Sequence, residues 1–143
     1  MFRSIQVSVL LWGALNAASA QAADLSVTVQ GLSSDQGDVH IAVYNVPGTF
    51  PNGDGMLIEG RAVPNGRRAT WTFKGLEPGT YAIATFHDAN GNHSFDQGVF
   101  GIPLEDFGFS MGARAILSAP AFEDAAFTLE GPGRTIVIDL GND

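Results

Sequence analysis

Five polar residues at alternating positions form the part of the sequence best suited to holding a ligand. They are Asp88, Asn90, Asn92, Ser94 and Asp96. Counted from the first of them, they stand at positions 1, 3, 5, 7 and 9, the spacing with which the early half of a calcium loop directs oxygen atoms at one centre. Carboxylate, amide and carbonyl oxygens are hard ligands that suit calcium, whereas zinc prefers nitrogen. We therefore predict calcium as the cofactor and these five residues as its ligands.

Two positions of this loop depart from the calcium pattern. Position 6, where glycine is usual, is His93, and position 12 is Val99 rather than a glutamate. The missing oxygen ligands would have to come from elsewhere in the chain, for example from Glu105 or Asp106. Because Asp and Asn are also ordinary turn formers, the alternative is a loop held only by bonds from side chains to backbone.

Histidines beside the same loop make zinc a second candidate ion. His87 and His93 lie close in sequence to Asp88 and Asp96, and His40 joins them only if the fold brings it near. A catalytic zinc usually has three protein ligands and a water, which is the arrangement of a metal-dependent hydrolase. His87 alternatively ends a strand, with one ring nitrogen bonded to the loop backbone.

Other catalytic arrangements are missing from the sequence. There is no G-x-S-x-G motif, so Ser110 is expected to be a turn hydroxyl rather than a nucleophile. The acidic pairs at 105–106 and 123–124 are adjacent in sequence, and neighbouring side chains on extended backbone point apart. No catalytic residue is assigned, and a non-catalytic protein is favoured.

Composition limits the partners of the chain. It has no cysteine, which excludes disulfides, thiolate metal sites and a cysteine nucleophile. All 15 acidic residues but only six of the seven basic ones lie after residue 20, so that part carries a net charge of −9. Such a charge opposes nucleic-acid binding, and no basic cluster larger than Arg67-Arg68 reverses it locally.

The N-terminus has the features of a cleavable signal peptide. Arg3 is followed by an apolar run over residues 7–17 and by the small residues Ala18-Ser19-Ala20. The apolar run is far shorter than the roughly 20 residues that cross a membrane. We expect a signal peptide at 1–20, a single domain at 21–143, export to the periplasm or the medium, and no membrane insertion of the mature chain.

The mature sequence alternates between apolar and polar residues in short runs that turn residues separate, which is typical of β-strands. The predicted strands cover 25–30, 39–44, 58–63, 69–73, 80–87, 125–129 and 134–140, the third being weak. Asn65-Gly66 and residues 130–133 are expected to close hairpins, and Trp71 and Phe73 are expected in the core. Six or seven strands favour an all-β, antiparallel, two-sheet β-sandwich, because one open sheet would leave an apolar face wet.

A connection of unusual length, residues 88–124, separates the central strand from the last two. Five of the ten phenylalanines lie in it, an aromatic content that disordered segments lack, so we expect one long folded loop. If Phe95, Phe100 or Phe107 were exposed, they could stack on a sugar or a surface. Burial of these rings is the favoured alternative.

Two resemblances are carried by particular residues. The stretch from Phe73 to Tyr81, with its Pro-Gly turn, resembles transthyretin-like and carboxypeptidase-regulatory-like sandwiches, which implies a transthyretin-like or immunoglobulin-like fold. A closer resemblance, to the bacterial exported family called domain of unknown function 2141, rests on several motifs in the same order. They are His87-Asp88-Ala89-Asn90-Gly91-Asn92, Gly101-Ile102-Pro103, Gly108-Phe109-Ser110, Ala113-Arg114 and 122–127. The resemblance implies a small exported sandwich but no reaction, and His93 stands where that family usually has glycine.

The sequence thus predicts an exported, non-catalytic binding or interaction module of unknown ligand, with a calcium-binding loop and a protein or cell-envelope partner. Two alternatives stay open. One is the metal-dependent hydrolase with His87, His93 and nearby carboxylates, and the other is a polysaccharide-binding or surface-binding accessory domain.

Overall fold

The computed structural model describes residues 20–141, so the predicted signal peptide lies, apart from Ala20, outside the described residues. This part of the chain contains eight strands, one short α-helix, α1 (Phe122–Ala125), and four 3₁₀ turns. The strands are β1 (Ala23–Gln30), β2 (Asp38–Tyr44), β3 (Ile58–Ala62), β4 (Arg68–Leu76), β5 (Gly79–Asp88), β6 (Phe107–Phe109), β7 (Phe127–Leu129) and β8 (Gly133–Asp139). Over residues 20–141, no helix has the length and apolar character needed to cross a membrane.

Two sheets form a sandwich, which confirms the all-β prediction. One sheet has three strands in the order β4-β1-β8. The other has five strands, with β3, β2, β5 and β6 in order and β7 also paired with β5. The pairing differs from a purely antiparallel sandwich at one place, since β1 and β8 run parallel.

The core between the sheets follows from the alternation in the strands. In β1, Leu25, Val27 and Val29 are buried and the residues between them are only partly covered. From the other sheet, Val39, Ile41 and Val43 of β2 face them, and Ile83 of β5 belongs to the same cluster. Each such side chain contributes roughly 1.5–3 kcal/mol on leaving water, so this layer is the main source of stability.

Neither predicted hairpin forms. The turn after β3 is present, with the N–H of Asn65 donating to the carbonyl of Arg68 and positive φ at Gly66 and Arg67. However, β3 pairs with β2 and β4 pairs with β1, so this turn carries the chain from one sheet to the other. The same holds for the last two strands, because β7 pairs with β5 and β8 with β1.

The prediction that Trp71 belongs to the core is wrong, whereas Phe73 is buried as expected. Trp71 is 40% exposed, although it lies on the same face of β4 as the buried Ala69 and Phe73. β4 is an edge strand of its sheet, and the indole lies over Gly60 of β3, the edge strand of the other sheet. The ring therefore covers the margin of the sandwich instead of filling it.

The long connection forms a third layer, as the prediction of a folded loop requires. It supplies β6, which joins the edge of the five-stranded sheet, and α1 and several short turns, which cover part of the outer face of that sheet. A second apolar cluster lies there, separate from the core between the sheets. Its buried members are Tyr44, Phe50, Ala82, Phe109, Phe122 and Ala125. Both faces of β5 are thus covered, which explains why both are fairly apolar in sequence.

Candidate functional site

A cleft of about 350 Å³ opens on the outer face of the five-stranded sheet, and its walls come from the long loop and from residues 51–56, between β2 and β3. Its floor comes from residues that alternate with the core residues of β2 and β5. His40 lies opposite Phe86 in this pairing, and Ala42 lies opposite Ala84. Asp88, at the last position of β5, continues the same face by alternation. Strand register therefore brings these residues together.

His40 is buried at the polar end of the cleft. Its ring stacks on Phe86, with centroids 4.6 Å apart. The Nδ1 atom forms a short hydrogen bond with the Glu59 carboxylate, which itself lies 3.6 Å from the Arg61 guanidinium. The Nε2 atom is buried without a hydrogen-bond partner and lies 3.3 Å from Oδ2 of Asp88. One edge of the ring is thus fixed and the other faces a carboxylate.

Asp88 is fully buried, and its carboxylate caps the loop that follows β5. Its Oδ1 accepts the backbone N–H of Asn92, and its Oδ2 accepts that of His93. Burial alone would raise the pKa of Asp88, but the N–H groups of His93 and Asn92 and the nearby His40 outweigh it and lower the pKa below its ordinary value. Asp88 is therefore a permanently charged group inside the protein at neutral pH.

His93 enters the site from the loop, with a left-handed φ of 62°. Its Nδ1 lies 3.8 Å from Oδ2 of Asp88 and 3.3 Å from a guanidinium nitrogen of Arg61. One ligand atom each from His40, Asp88 and His93 lies within 4.8 Å of the others. The three residues form the one group of possible metal ligands found over residues 20–141.

The predicted calcium ligands form a hydrogen-bonded network. The amide nitrogens of Asn90 and Asn92 both donate to the carboxylate of Asp96. Their amide oxygens accept N–H groups within the loop, from Asn92 and Ser94 respectively. These contacts are those of turns closed by side-chain-to-backbone bonds, and a calcium ion would need both amides to rotate. Calcium binding stays a prediction.

Glu105 returns to this loop, as one of the two acidic residues considered for it. Its Oε2 accepts the backbone N–H of Asp96, and its Oε1 is buried without a hydrogen-bond partner. Burial raises the pKa of Glu105, an effect that the Asp96 N–H partly offsets and the charges of Asp96 and Asp88 reinforce. Asp106 contributes its backbone instead, by accepting the N–H of His87.

His87 does not reach this site, which corrects the ligand set of the hydrolase alternative. It alternates with Asp88 on β5 and so points between the sheets, where it is buried. Its Nε2 bonds to the carbonyl of Gln36, and its Nδ1 lies 3.5 Å from the Ser33 hydroxyl. His87 thus has a ring nitrogen bonded to backbone, as expected, but in the turn between β1 and β2 rather than in the loop after β5, and His40 takes its place beside His93.

Aromatic rings line the other end of the cleft. Four phenylalanine rings form a row in which each ring contacts the next, with neighbouring centroids 5.3–5.9 Å apart. The row runs Phe86, Phe95, Phe107, Phe109. Phe100 is different, since it is 97% exposed at the tip of the loop. The expected burial of the loop rings is met only in part by Phe107, which is half-buried. It is wrong for Phe95, which is 37% exposed, and for Phe100.

Ser110 has the structural role predicted for it. It is fully buried, accepts the N–H of Ile83 and donates to the carbonyl of Ala125. Glu59 and Arg61 are functional residues of the site that were not expected from the sequence, and they stand at alternate positions of β3. Their alternation with the buried Gly60 and Ala62 was the available signal.

One comparison with known proteins bears on identity. The family described as uncharacterized protein conserved in bacteria (DUF2141) matches the chain over residues 27–137. That segment runs from β1 to β8 and includes every residue of the cleft. No curated protein and no solved structure matches. The chain therefore belongs to the DUF2141 family.

Proposed function

We propose that this protein is an exported, non-catalytic binding module that holds a small, mainly apolar ligand in the cleft on the five-stranded sheet. The observation that carries the proposal is the division of the cleft into an aromatic end and a polar end. Ligand sites in proteins commonly have this form, with apolar walls for affinity and a few polar groups for orientation.

The aromatic end supplies surface that a flat or branched apolar group would cover. Three neighbouring rings are only partly covered by protein, so solvent reaches part of their surface. They belong to Phe86, Phe95 and Phe107. Ala42 and Ala84 give the floor no bulk, so the space above them is not filled by side chains of the sheet. An apolar ligand would remove this surface from water, at about 25 cal/mol per Å².

The polar end favours a ligand that carries an acidic or hydrogen-bonding group. Arg61 is about half exposed at the rim, and His93 beside it is also exposed. Both residues offer N–H groups to an oxygen atom of a ligand. We therefore infer an amphipathic ligand, with its apolar part on the phenylalanines and its polar part near Arg61.

An aryl sulfonate dye, anilinonaphthalene sulfonate, is a suitable probe because it combines both features. We expect one dye per chain, with enhanced fluorescence. Ala84→Phe should fill the floor of the cleft and abolish binding. Thr70→Phe is the matched control, since it adds the same ring at an exposed position of the other sheet. Equal binding by wild type and Ala84→Phe would exclude the cleft as the ligand site.

A second candidate function, that of a polysaccharide-binding or surface-binding domain, has support from Phe100. The loop around it forms a small projection that is closed by a single β-bridge between Gln97 and Pro103. Four large apolar residues on this projection are well exposed. They are Val99, Phe100, Ile102 and Leu104. If Phe100→Ala, and not Ala84→Phe, removes the bound dye, the projection rather than the cleft is the binding surface.

A further inference from the structure

We infer that His40, Asp88 and His93 form a binding site for a divalent transition metal of the zinc class, at the polar end of the cleft. The ligand atoms are Nε2 of His40, Oδ2 of Asp88 and Nδ1 of His93. This inference goes beyond the proposed apolar ligand, and the metal alone is its probe. The two proposals can therefore fail separately.

The first support is the orphaned nitrogen of His40. Because the Glu59 carboxylate takes the Nδ1–H, the ring has a lone pair on Nε2 whenever that nitrogen carries no proton. That lone pair faces Oδ2 of Asp88 at 3.3 Å, with no hydrogen bond between them. Two acceptors at this distance repel each other unless a positive charge lies between them. A proton on Nε2 removes the repulsion, and so does a metal ion, which would displace that proton on binding.

Glu59 also acts on His40 as carboxylates act on metal-bound histidines. Such residues usually donate their second ring N–H to a carboxylate, which fixes the orientation of the ring and makes the free nitrogen a better ligand. His40 is buried, stacked on Phe86 and bonded to Glu59, so its Nε2 cannot turn to solvent. The ligand is thus oriented before any metal arrives.

Distances in the group are close to those of a four-coordinate site. With metal–ligand bonds of about 2.0–2.2 Å, tetrahedral ligand atoms lie roughly 3.3–3.6 Å apart. His40 and Asp88 already have this spacing, at 3.3 Å, and the His93 nitrogen is 3.8 Å from the same oxygen. His93 is about half exposed and sits on a loop, so a movement of roughly 1 Å completes the set.

Local charge favours a cation at this position. Asp88 and Glu59 lie in or beside the group, and Asp96 and Glu105 are in the adjoining loop. The basic side chain of Arg61 lies against His93, and its guanidinium contacts the same Nδ1 that a metal would use. Arg61 therefore competes with the metal, and its removal should strengthen binding.

Two imidazole nitrogens and one carboxylate oxygen form a donor set typical of zinc and its neighbours, not of calcium. Three protein ligands leave a fourth position open. Because His40 and His93 also line the cleft, that position faces the space proposed for the ligand. A polar group of a ligand would then complete the coordination.

The test uses untagged mature protein freed of metal, titrated calorimetrically with Zn²⁺ and separately with Ca²⁺. We expect one zinc per chain, a higher melting temperature with zinc, and the visible absorption of four-coordinate Co²⁺ when cobalt replaces it. His93→Gly should weaken zinc binding by at least 10-fold without lowering the metal-free melting temperature, because glycine suits φ of 62° better than histidine does.

Three further variants complete the experiment. Glu59→Gln should weaken binding about 10-fold or more, as loss of an orienting carboxylate does. Arg61→Ala should tighten it, and Asp24→Asn, on the other sheet, should leave it unchanged. Equal zinc affinity of wild type and His93→Gly would overturn the inference. So would a calcium-induced rise in melting temperature that zinc does not reproduce, which would place the ion in the Asp/Asn loop instead.

Discussion

Asp88 links the sheet, the loop and the candidate metal site through a single carboxylate. A buried carboxylate is costly unless it is paired, and this one is stabilised by two backbone N–H groups from its own loop. The same bonds hold His93 in its left-handed conformation beside His40. Replacement of Asp88 would therefore change the loop and the site together, which is why the variants proposed above leave it intact.

Glu105→Gln should make the metal-free protein more stable at neutral pH. The pKa of Glu105 is higher in the folded protein than its ordinary value of 4.5, so folding favours the neutral carboxyl. The resulting stabilisation is fully present below pH 4.5 and is lost as pH rises through the pKa of the folded state. Glutamine keeps an oxygen that accepts the Asp96 N–H, and its side chain stays neutral at every pH.

The measurement is urea unfolding of both proteins between pH 3.5 and pH 8. The advantage of the variant should be small at the acidic end and grow as pH rises. A variant that is less stable than wild type at neutral pH would mean that the Glu105 carboxylate has a stabilising partner, and would contradict the assigned pKa direction.

The residues of the loop were predictable from the sequence, but those that face it were not. Asp88 and His93 were identified because they are close together in the chain. His40 comes from β2 and Glu59 from β3, and both reach the site only through strand register. A shift of one residue in that register would point His40 into the core, so no local pattern could have placed it.

Gly60 and Trp71 show how the edges of the two sheets meet. A Cβ on Gly60 would collide with the indole ring, although the backbone there accepts any residue. Gly60→Ala should therefore cost about 1–3 kcal/mol by displacing the ring. Trp71→Ala should cost about 1–2 kcal/mol, less than a core tryptophan, because the ring is 40% exposed.

A double-mutant cycle in urea separates this contact from other effects. In the Trp71→Ala background, Gly60→Ala should cost less than about 0.5 kcal/mol, because the atoms it would strike are gone. If the two losses simply add, the indole does not lie over Gly60 in solution.

Strand existence was predictable from alternation, whereas strand partners were not. Six of the strands were found from period-two patterns and a seventh from a weak one, but β6 has only three residues and shows no period. The two expected hairpins failed for a different reason. A turn fixes where the chain reverses, and burial of both apolar faces decides which sheet the next strand joins.

The outer faces of the two sheets differ in polarity. The outer face of the three-stranded sheet carries hydroxyl pairs, such as Ser26 with Thr72 and Thr28 with Thr70, and needs no cover. The outer face of the five-stranded sheet is largely apolar, and it is covered, except over the cleft, by the long loop and by the segment between β2 and β3, which contributes Phe50. The uncovered part is where we place the ligand.

The structure limits the positions at which a signal peptide could be cleaved from the chain. Small residues at 18–20 predict cleavage after Ala20, and the alanines at 22 and 23 offer two alternative cleavage sites. Gln21 and Ala22 are exposed and precede β1, whereas Ala23 is buried and pairs with Leu76. Cleavage beyond Ala22 would remove a core residue, so the exported protein should begin between Gln21 and Ala23.

Intact-mass spectrometry of protein from the periplasm or medium measures this directly. Replacing Ala18 and Ala20 together by leucine should block the cut and leave a longer species, because the peptidase requires small residues there. An exported wild-type chain that retains residues 7–17, or one that starts at Asp24, would contradict the assignment.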